Sequence, residues 1–195
     1  MQQRHSIVFA TNNAHKVQEV AAILAGADVE LIGLDAFPDL PEPPETGDTF
    51  EHNALQKARF VFERTGLPCI ADDSGLEVDA LGGAPGVHSK RFSPQATHQS
   101  NNALLLERLA GVTERTARFR CVLAYVDGER QATVAGACEG RVATQEKGTD
   151  GFGYDPLFLP DEAPGFAMAE LSLAHKNRIS HRGRAFQRLD ELLGR

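Results

Sequence analysis

Residues 6–11 form a short run rich in β-branched and aromatic side chains. Apolar residues then recur at Val17, Val20, Ala21 and Leu24 with helical spacing over residues 14–24. This pattern predicts a strand that feeds a helix through Thr11-Asn12-Asn13. Residues 29–34 read as a second strand, after which Pro38, Pro41, Pro43 and Pro44 impose an extended connection that ends at Glu45-Thr46-Gly47. The next helix is predicted to open at Asp48-Thr49-Phe50-Glu51, a capping-box pattern with Asp48 as the cap. Its buried stripe is Phe50, Ala54, Leu55, Ala58, Val61 and Phe62. Asn53 and Lys57, four apart along one edge of that stripe, are placed to reach a ligand. Gly66-Leu67-Pro68 ends the helix, and Cys69-Ile70-Ala71 reads as a short strand delivering Asp72-Asp73-Ser74-Gly75 at its end.

Residues 76–81 continue in extended character, 82–94 read as a loop, and 97–109 are helical by spacing. Two apolar runs, 117–126 and 130–137, straddle the turn signal Asp127-Gly128 and predict a hairpin. Residues 148–154 form a glycine-rich loop beside the apolar Pro156-Leu157-Phe158-Leu159. Ser180 caps a last helix that packs through Ala185, Leu189, Leu192 and Leu193. Strands alternating with helices early, and a hairpin later, predict an α/β fold with a mixed central β-sheet flanked by helices.

The length of 195 residues fits a single domain spanning 1–195 with one substantial core. With 42% hydrophobic and 24% charged residues, disorder and fibrous repeats are excluded. A net charge of -7 disfavours nucleic acid as a partner, although a local basic pocket could still hold one anionic ligand. Cys69, Cys121 and Cys138 are odd in number and lack CxxC pairing, which fits small buried hydrophobes in a reducing compartment. The opening Met1-Gln2-Gln3-Arg4-His5 leads into a run too short for a signal peptide, and no stretch approaches a membrane span. The expected location is the cytoplasm, with no membrane partner.

Four polar clusters fall where strands end or helices begin, the usual place for ligands in α/β proteins. The backbone amides of Thr11-Asn12-Asn13 and the ammonium of Lys16 could hold a phosphate chain at a helix N-terminus, or Lys16 is a solvated helix residue. The segment lacks P-loop spacing. Asp72 and Asp73 are adjacent acids, costly together unless a cation or donors compensate them. Magnesium is the natural compensator and Glu45 a further ligand candidate; the bland alternative is a turn. Phe152-Gly153-Tyr154-Asp155 offers aromatic faces beside a carboxylate, suited to a base, or else Phe152 and Tyr154 are core anchors. Lys176 with Ser180-His181-Arg182 supplies donors for ligand oxygens, or an exposed basic helix start.

In this order the clusters resemble the inosine triphosphate pyrophosphatase family, the house-cleaning enzymes for non-standard purine triphosphates. The resemblance runs from Ala10-Thr11-Asn12-Asn13 with Lys16, through Glu45-Thr46-Gly47, Asn53-Ala54 and Lys57-Ala58, to Ala71-Asp72-Asp73-Ser74-Gly75-Leu76. Residues 82–87, Gly151-Phe152-Gly153-Tyr154-Asp155-Pro156 and Ser180-His181-Arg182-Gly183 complete it. It implies two lobes around a nucleotide-binding cleft, a homodimer, and magnesium-dependent release of pyrophosphate from ITP, dITP or XTP. Carried over, Thr11, Asn12, Asn13, Lys16 and Lys57 hold the triphosphate, and Glu45 and Asp73 hold magnesium. The resemblance further implies that Asp73 serves as general base, that Asp72 supports it and that Ser74 touches the substrate. It likewise implies that Phe152 stacks on the base and that the loop through Gly153, Tyr154 and Asp155, with Lys176, His181 and Arg182, reads its edge. The chain departs from the family pattern at residues 87–92, where tyrosines are expected at His88 and Phe92 and a small residue at Lys90.

Competing readings are a related pyrophosphatase for modified pyrimidine or 7-methylguanosine triphosphates, and a silent nucleotide-binding module. The Phe152 loop and Ser180-His181-Arg182 argue against the first, and Lys16, Glu45, Asp72 and Asp73 against the second.

Overall fold

The computed structural model describes residues 5–195; the opening Met1–Arg4, part of the segment read as too short for a signal peptide, lies outside the described residues. Six strands form one mixed sheet in the order β2-β1-β3-β4-β5-β6. They are β1 (His5–Phe9), β2 (Val29–Ile32), β3 (Cys69–Val78), β4 (Thr116–Val126), β5 (Gln131–Val142) and β6 (Phe158–Pro160). The helices are α1 (Ala14–Ile23), α2 (Phe50–Thr65), α3 (His98–Arg108), α4 (Leu173–Ile179), α5 (His181–Phe186) and α6 (Leu189–Leu193). No helix among the described residues is long and apolar enough to cross a membrane. The chain divides into two compact units: the first runs to Asp73 and takes in Cys121–Gly136 and Arg182–Arg195, and the second comprises Ser74–Arg120 and Ala137–His181.

In the first unit β1 lies between β2 and β3 and is parallel to both, with Val8 opposite Ile32 on one side and Cys69 on the other. Parallel neighbours require crossovers, which α1 and α2 provide. Ile7, Phe9, Val20, Ile70, Leu123 and Phe186 build its core, where Phe9 and Phe186 meet edge-to-face at 6.1 Å. Such a pair contributes about 0.5–1.5 kcal/mol beyond its buried area. Helix α2 starts one residue later than its sequence implies: Thr49, not Asp48, is the cap, accepting from His52 N at 3.1 Å. Gly66 closes it with φ of 68°, a left-handed conformation that a Cβ would disfavour. The apolar spacing on α1 also misleads. Val17 is exposed, whereas Glu19 is buried beside Val20.

The second unit has its own core around Leu76, Leu105, Phe119, Leu157, Phe158 and Met168. Strand β6 closes the sheet antiparallel to β5, with Arg141 opposite Leu159. Helix α3 begins with a capping box between Thr97 and Ser100. The loop that departs from the family pattern is a 3-10 helix over Gly86–Arg91. Ser89 pins it, accepting through Oγ from Leu76 N at 2.9 Å and donating to Gly86 O at 2.7 Å. Asn101 of α3 pins it again, donating through Nδ2 to the carbonyls of Ser89 and Lys90 at 3.3 and 3.1 Å.

Three expectations need correction. The acids Asp72 and Asp73 lie inside a continuous ten-residue strand β3, not at the end of a short one. Helix α4 has no counterpart in the apolar pattern, because only Lys176 and Ile179 of its seven residues are buried. Ser180 follows α4 as its C-cap, and the predicted last helix is two short ones, α5 and α6.

Candidate active site

In the first unit, a backbone bond from Ala10 N to Ile70 O at 2.8 Å carries β1 past β3 and delivers Thr11 to the start of α1. Asn13 caps α1, its Oδ1 accepting from His15 N at 3.0 Å and Lys16 N at 3.3 Å. Thr11 Oγ1 accepts in turn from Asn13 N at 3.2 Å, while Asn12 is exposed. One turn into α1, Lys16 places its ammonium 2.9 Å from Asp72 Oδ2.

Asp72 is wholly enclosed. Besides Lys16, its Oδ2 receives Arg182 through Nη2 at 3.2 Å and Nε at 3.4 Å. Arg182 is itself buried and donates through Nη1 to Glu19 Oε2 at 2.5 Å. Burial alone would raise the Asp72 carboxyl's pKa, but Lys16, Arg182 and Lys57 outweigh it and hold the group well below the usual carboxylate range.

Asp73, on the opposite face of the same strand, has a different environment. Its Oδ2 accepts from Asn53 Nδ2 at 3.0 Å, and its Oδ1 lies 3.6 Å from Lys57 Nζ. The same ammonium donates to Glu45 Oε1 at 2.5 Å. Burial pushes the Asp73 carboxyl upward; Lys57 pulls it down, the negative charge of Glu45 adds to the rise, and the net displacement is upward. Lys57 loses by burial but gains more from Asp73, Asp72 and Glu45, so its ammonium is held more firmly than usual. Two neighbouring carboxylates are thus pushed in opposite directions, Asp72 downward by the cations around it and Asp73 upward by burial and Glu45.

The residues present also fit a divalent cation. Glu45 and Asp73 converge on one positive charge, that of Lys57, so the carboxylates already face a common cation position. Among the described residues no cluster of three or more His, Cys, Asp or Glu side chains is arranged to hold a metal. Magnesium does not need one, since it commonly takes one or two carboxylates together with substrate phosphates and water.

In the second unit, Ser74 is half-buried on β3, and the Phe152 loop is held from several sides. Asp155 Oδ2 accepts from Phe152 N at 2.8 Å and from Lys176 Nζ at 2.5 Å. The Lys176 ammonium also lies 4.9 Å from the centre of the Phe152 ring, and the His98 ring lies 6.3 Å from it. Gly151 and Gly153 have φ of 76° and 61°, which lets the loop turn tightly. Tyr154 is buried and its hydroxyl donates to Ser89 O at 3.0 Å, which anchors the loop to residues 86–91. His181 stacks on Phe119 at 4.8 Å and 17°.

The structure thus gathers Thr11, Asn13, Lys16, Glu45, Lys57, Asp72 and Asp73 in the first unit, and Phe152, Asp155 and Lys176 in the second, where His181 lies on Phe119. Arg182 goes with the first group, on Glu19 and Asp72. Glu19 and His98 were not anticipated. Glu19 has one faint signal, its position three residues after Lys16 on the same helix face.

The family model of the Ham1 family matches residues 7–192. A dITP/XTP pyrophosphatase of Geobacter sulfurreducens is 50% identical over 192 residues, covering 96% of each chain. Another, from Nitratidesulfovibrio vulgaris, is 52% identical over 198 residues, covering 96% of this chain and 95% of its own. Among solved structures, the Ham1 protein of Staphylococcus aureus superposes with a TM-score of 0.86 at 36% identity, covering 97% of this chain and 98% of its own. With motifs, sheet order and whole-chain similarity in agreement, this chain belongs to the Ham1 family.

Proposed function

We propose that this chain hydrolyses the non-standard purine nucleoside triphosphates ITP, dITP and XTP to the monophosphate and pyrophosphate in a magnesium-dependent reaction, keeping them out of nucleic acid. The carrying observation is the divided environment of Asp72 and Asp73 between Lys16 and Lys57. The names of its whole-chain relatives, dITP/XTP pyrophosphatases, support the substrate class.

In this reading Thr11, Asn12, Asn13, Lys16 and Lys57 bind the triphosphate, Ser74 touches it, and Glu45 and Asp73 hold magnesium. Bound there, magnesium supplies charge stabilisation on the phosphate oxygens. Asp73 orients the attacking water and takes its proton through a carboxylate oxygen. Asp72 stays ionised and fixes the Lys16 ammonium. Phe152 stacks on the base, and Asp155, Lys176 and His181 address its edge, with the backbone of Gly153 and Tyr154 shaping the loop. A 6-oxo group suits their donors, whereas the adenine amino group would leave buried donors unpaired. The pairing of Arg182 with Glu19 and Asp72 favours a part in the charge network over one at the base edge.

The reading extends to a cytoplasmic homodimer, to be checked by cell fractionation and sedimentation. The decisive assay is pyrophosphate release from ITP, dITP, XTP, GTP and ATP with and without magnesium. Turnover should require the metal and favour the first three. Asp73→Asn should bind nucleotide yet lose roughly 10²- to 10⁴-fold in turnover, the usual worth of a positioned base. Comparable rates on all five nucleotides, or full turnover in Asp73→Asn, would refute the reading.

A further inference from the structure

The structure assigns to Asn53 the role of setting the gap between Glu45 and Asp73, so that the two carboxylates close on a single divalent cation. This inference rests on the reading of those residues as metal ligands. Asn53 is fully buried on α2, one turn before Lys57. Its Oδ1 accepts from Gly47 N at 2.7 Å and its Nδ2 donates to Asp73 Oδ2 at 3.0 Å. One planar amide therefore joins the backbone two residues beyond Glu45 to the carboxylate that faces it. The orientation of that amide is determined by its partners, because the Gly47 N–H requires an acceptor and a carboxylate requires a donor.

Residues 45–47 have no helix or strand to hold them. Besides Asn53 they are held by Gln56, one turn further along α2, whose Oε1 accepts from Thr46 N at 3.0 Å and whose Nε2 donates to Thr46 Oγ1 at 2.9 Å. The sheet fixes Asp73 and the helix fixes Asn53, Gln56 and Lys57, so α2 sets the backbone beyond Glu45 through two side-chain amides while the Lys57 ammonium holds the Glu45 carboxylate itself. Asn53 also chooses between the oxygens of Asp73. By engaging Oδ2 it leaves Oδ1 toward Lys57, the side on which Glu45 also lies. A ligand loop ordered in advance does not have to be ordered by the ion. Partners that orient metal ligands in this way typically contribute roughly 10- to 100-fold in metal affinity. Asn53 is thus a positioning residue, acting through Glu45 and Asp73.

The test uses Mn2+ alone as a paramagnetic probe, with bound and free ion counted by electron paramagnetic resonance on the nucleotide-free full chain. Asn53→Ala should weaken Mn2+ binding roughly 10- to 100-fold. Gln56→Ala, which loosens only the Glu45 side, should move the affinity in the same direction by less. In activity assays the metal concentration for half-activation should rise with Asn53→Ala, and turnover should return toward the wild-type value at saturating metal. A purely structural role would instead depress turnover at every metal concentration. Wild-type Mn2+ affinity in Asn53→Ala, with weakened binding in Glu45→Gln, overturns the role of Asn53 alone. Wild-type affinity in Glu45→Gln and Asp73→Asn overturns the metal reading and this inference with it. Should Asn53→Ala fail to fold, Gln56→Ala decides, and unchanged Mn2+ affinity in that variant counts against the inference.

Discussion

Replacing Arg182 with Met is the sharpest probe of the charge network in the first unit. The guanidinium is buried between Glu19 and Asp72, whose side chains are 5% and 0% exposed. Methionine fills much of the volume but removes the guanidinium from both Glu19 and Asp72, leaving Lys16 beside Asp72. Removing one partner of a buried pair costs about 3–5 kcal/mol, mostly because the remaining charge stays desolvated. At about 2–4 °C per kcal/mol for a chain of this size, the melting midpoint should fall by about 6–20 °C. Urea denaturation followed by circular dichroism would give the free energy directly. Adding Glu19→Gln should restore part of the loss, since the buried carboxylate that Arg182 neutralised is then gone. Arg118 provides an internal control: it also pairs with two carboxylates, Asp79 and Glu139, but these are about half exposed, so Arg118→Met should leave the midpoint nearly unchanged. A loss below about 1 kcal/mol in Arg182→Met would refute the reasoning, because that is the scale of a solvated ion pair.

Gly151→Ala should disturb the Phe152 loop, since a Cβ there would collide with Asp155 Oδ2 at a φ of 76°. Strain of about 1–3 kcal/mol should raise KM for ITP roughly tenfold, and an unchanged KM would count against the loop as a base site. Burial pushes the thiols of Cys69 and Cys121 up to about 12, so at pH 8 both are protonated and enclosed. Neither should be alkylated by iodoacetamide in the native protein, and both should react in urea, as read by mass spectrometry; rapid native labelling would contradict their burial.

The elements most legible in the sequence are those whose signals are local. Helix α2 shows its stripe, its threonine cap within one residue and its closing Gly66, while Asp127 marks the hairpin turn by accepting from Glu129 N and Arg130 N at 2.8 and 2.7 Å. Strand β3 is only half legible. Asp72-Asp73-Ser74-Gly75 has the composition of a turn, and what keeps it extended is a set of partners brought from 16, 53, 57 and 182. Such partners are remote in sequence and invisible to any local pattern. Helix α4 fails for another reason, since two buried positions in seven carry no period to detect. Within the candidate site, residue types pointed to the acids, the lysines and the aromatic loop. At His181-Arg182 the two adjacent side chains enter different environments, because successive helical side chains diverge by roughly 100°. His181 therefore lies on Phe119 while Arg182 enters the charge network.

The interleaving of segments in the first unit sets an order of events during synthesis. Ala185, Phe186, Leu189 and Leu192 belong to the same core as Ile7, Phe9 and Ile70, and Arg182 neutralises an aspartate made 110 positions earlier. A chain that has laid down β1, α1, α2 and the acid pair already holds Lys16 for Asp72 and Lys57 for Asp73, yet until residues 182–192 emerge Asp72 lacks its second cation and the core around Ile7 and Phe9 lacks Phe186, Leu189 and Leu192. The core of the first unit is therefore completed only after every residue of the second unit has been made.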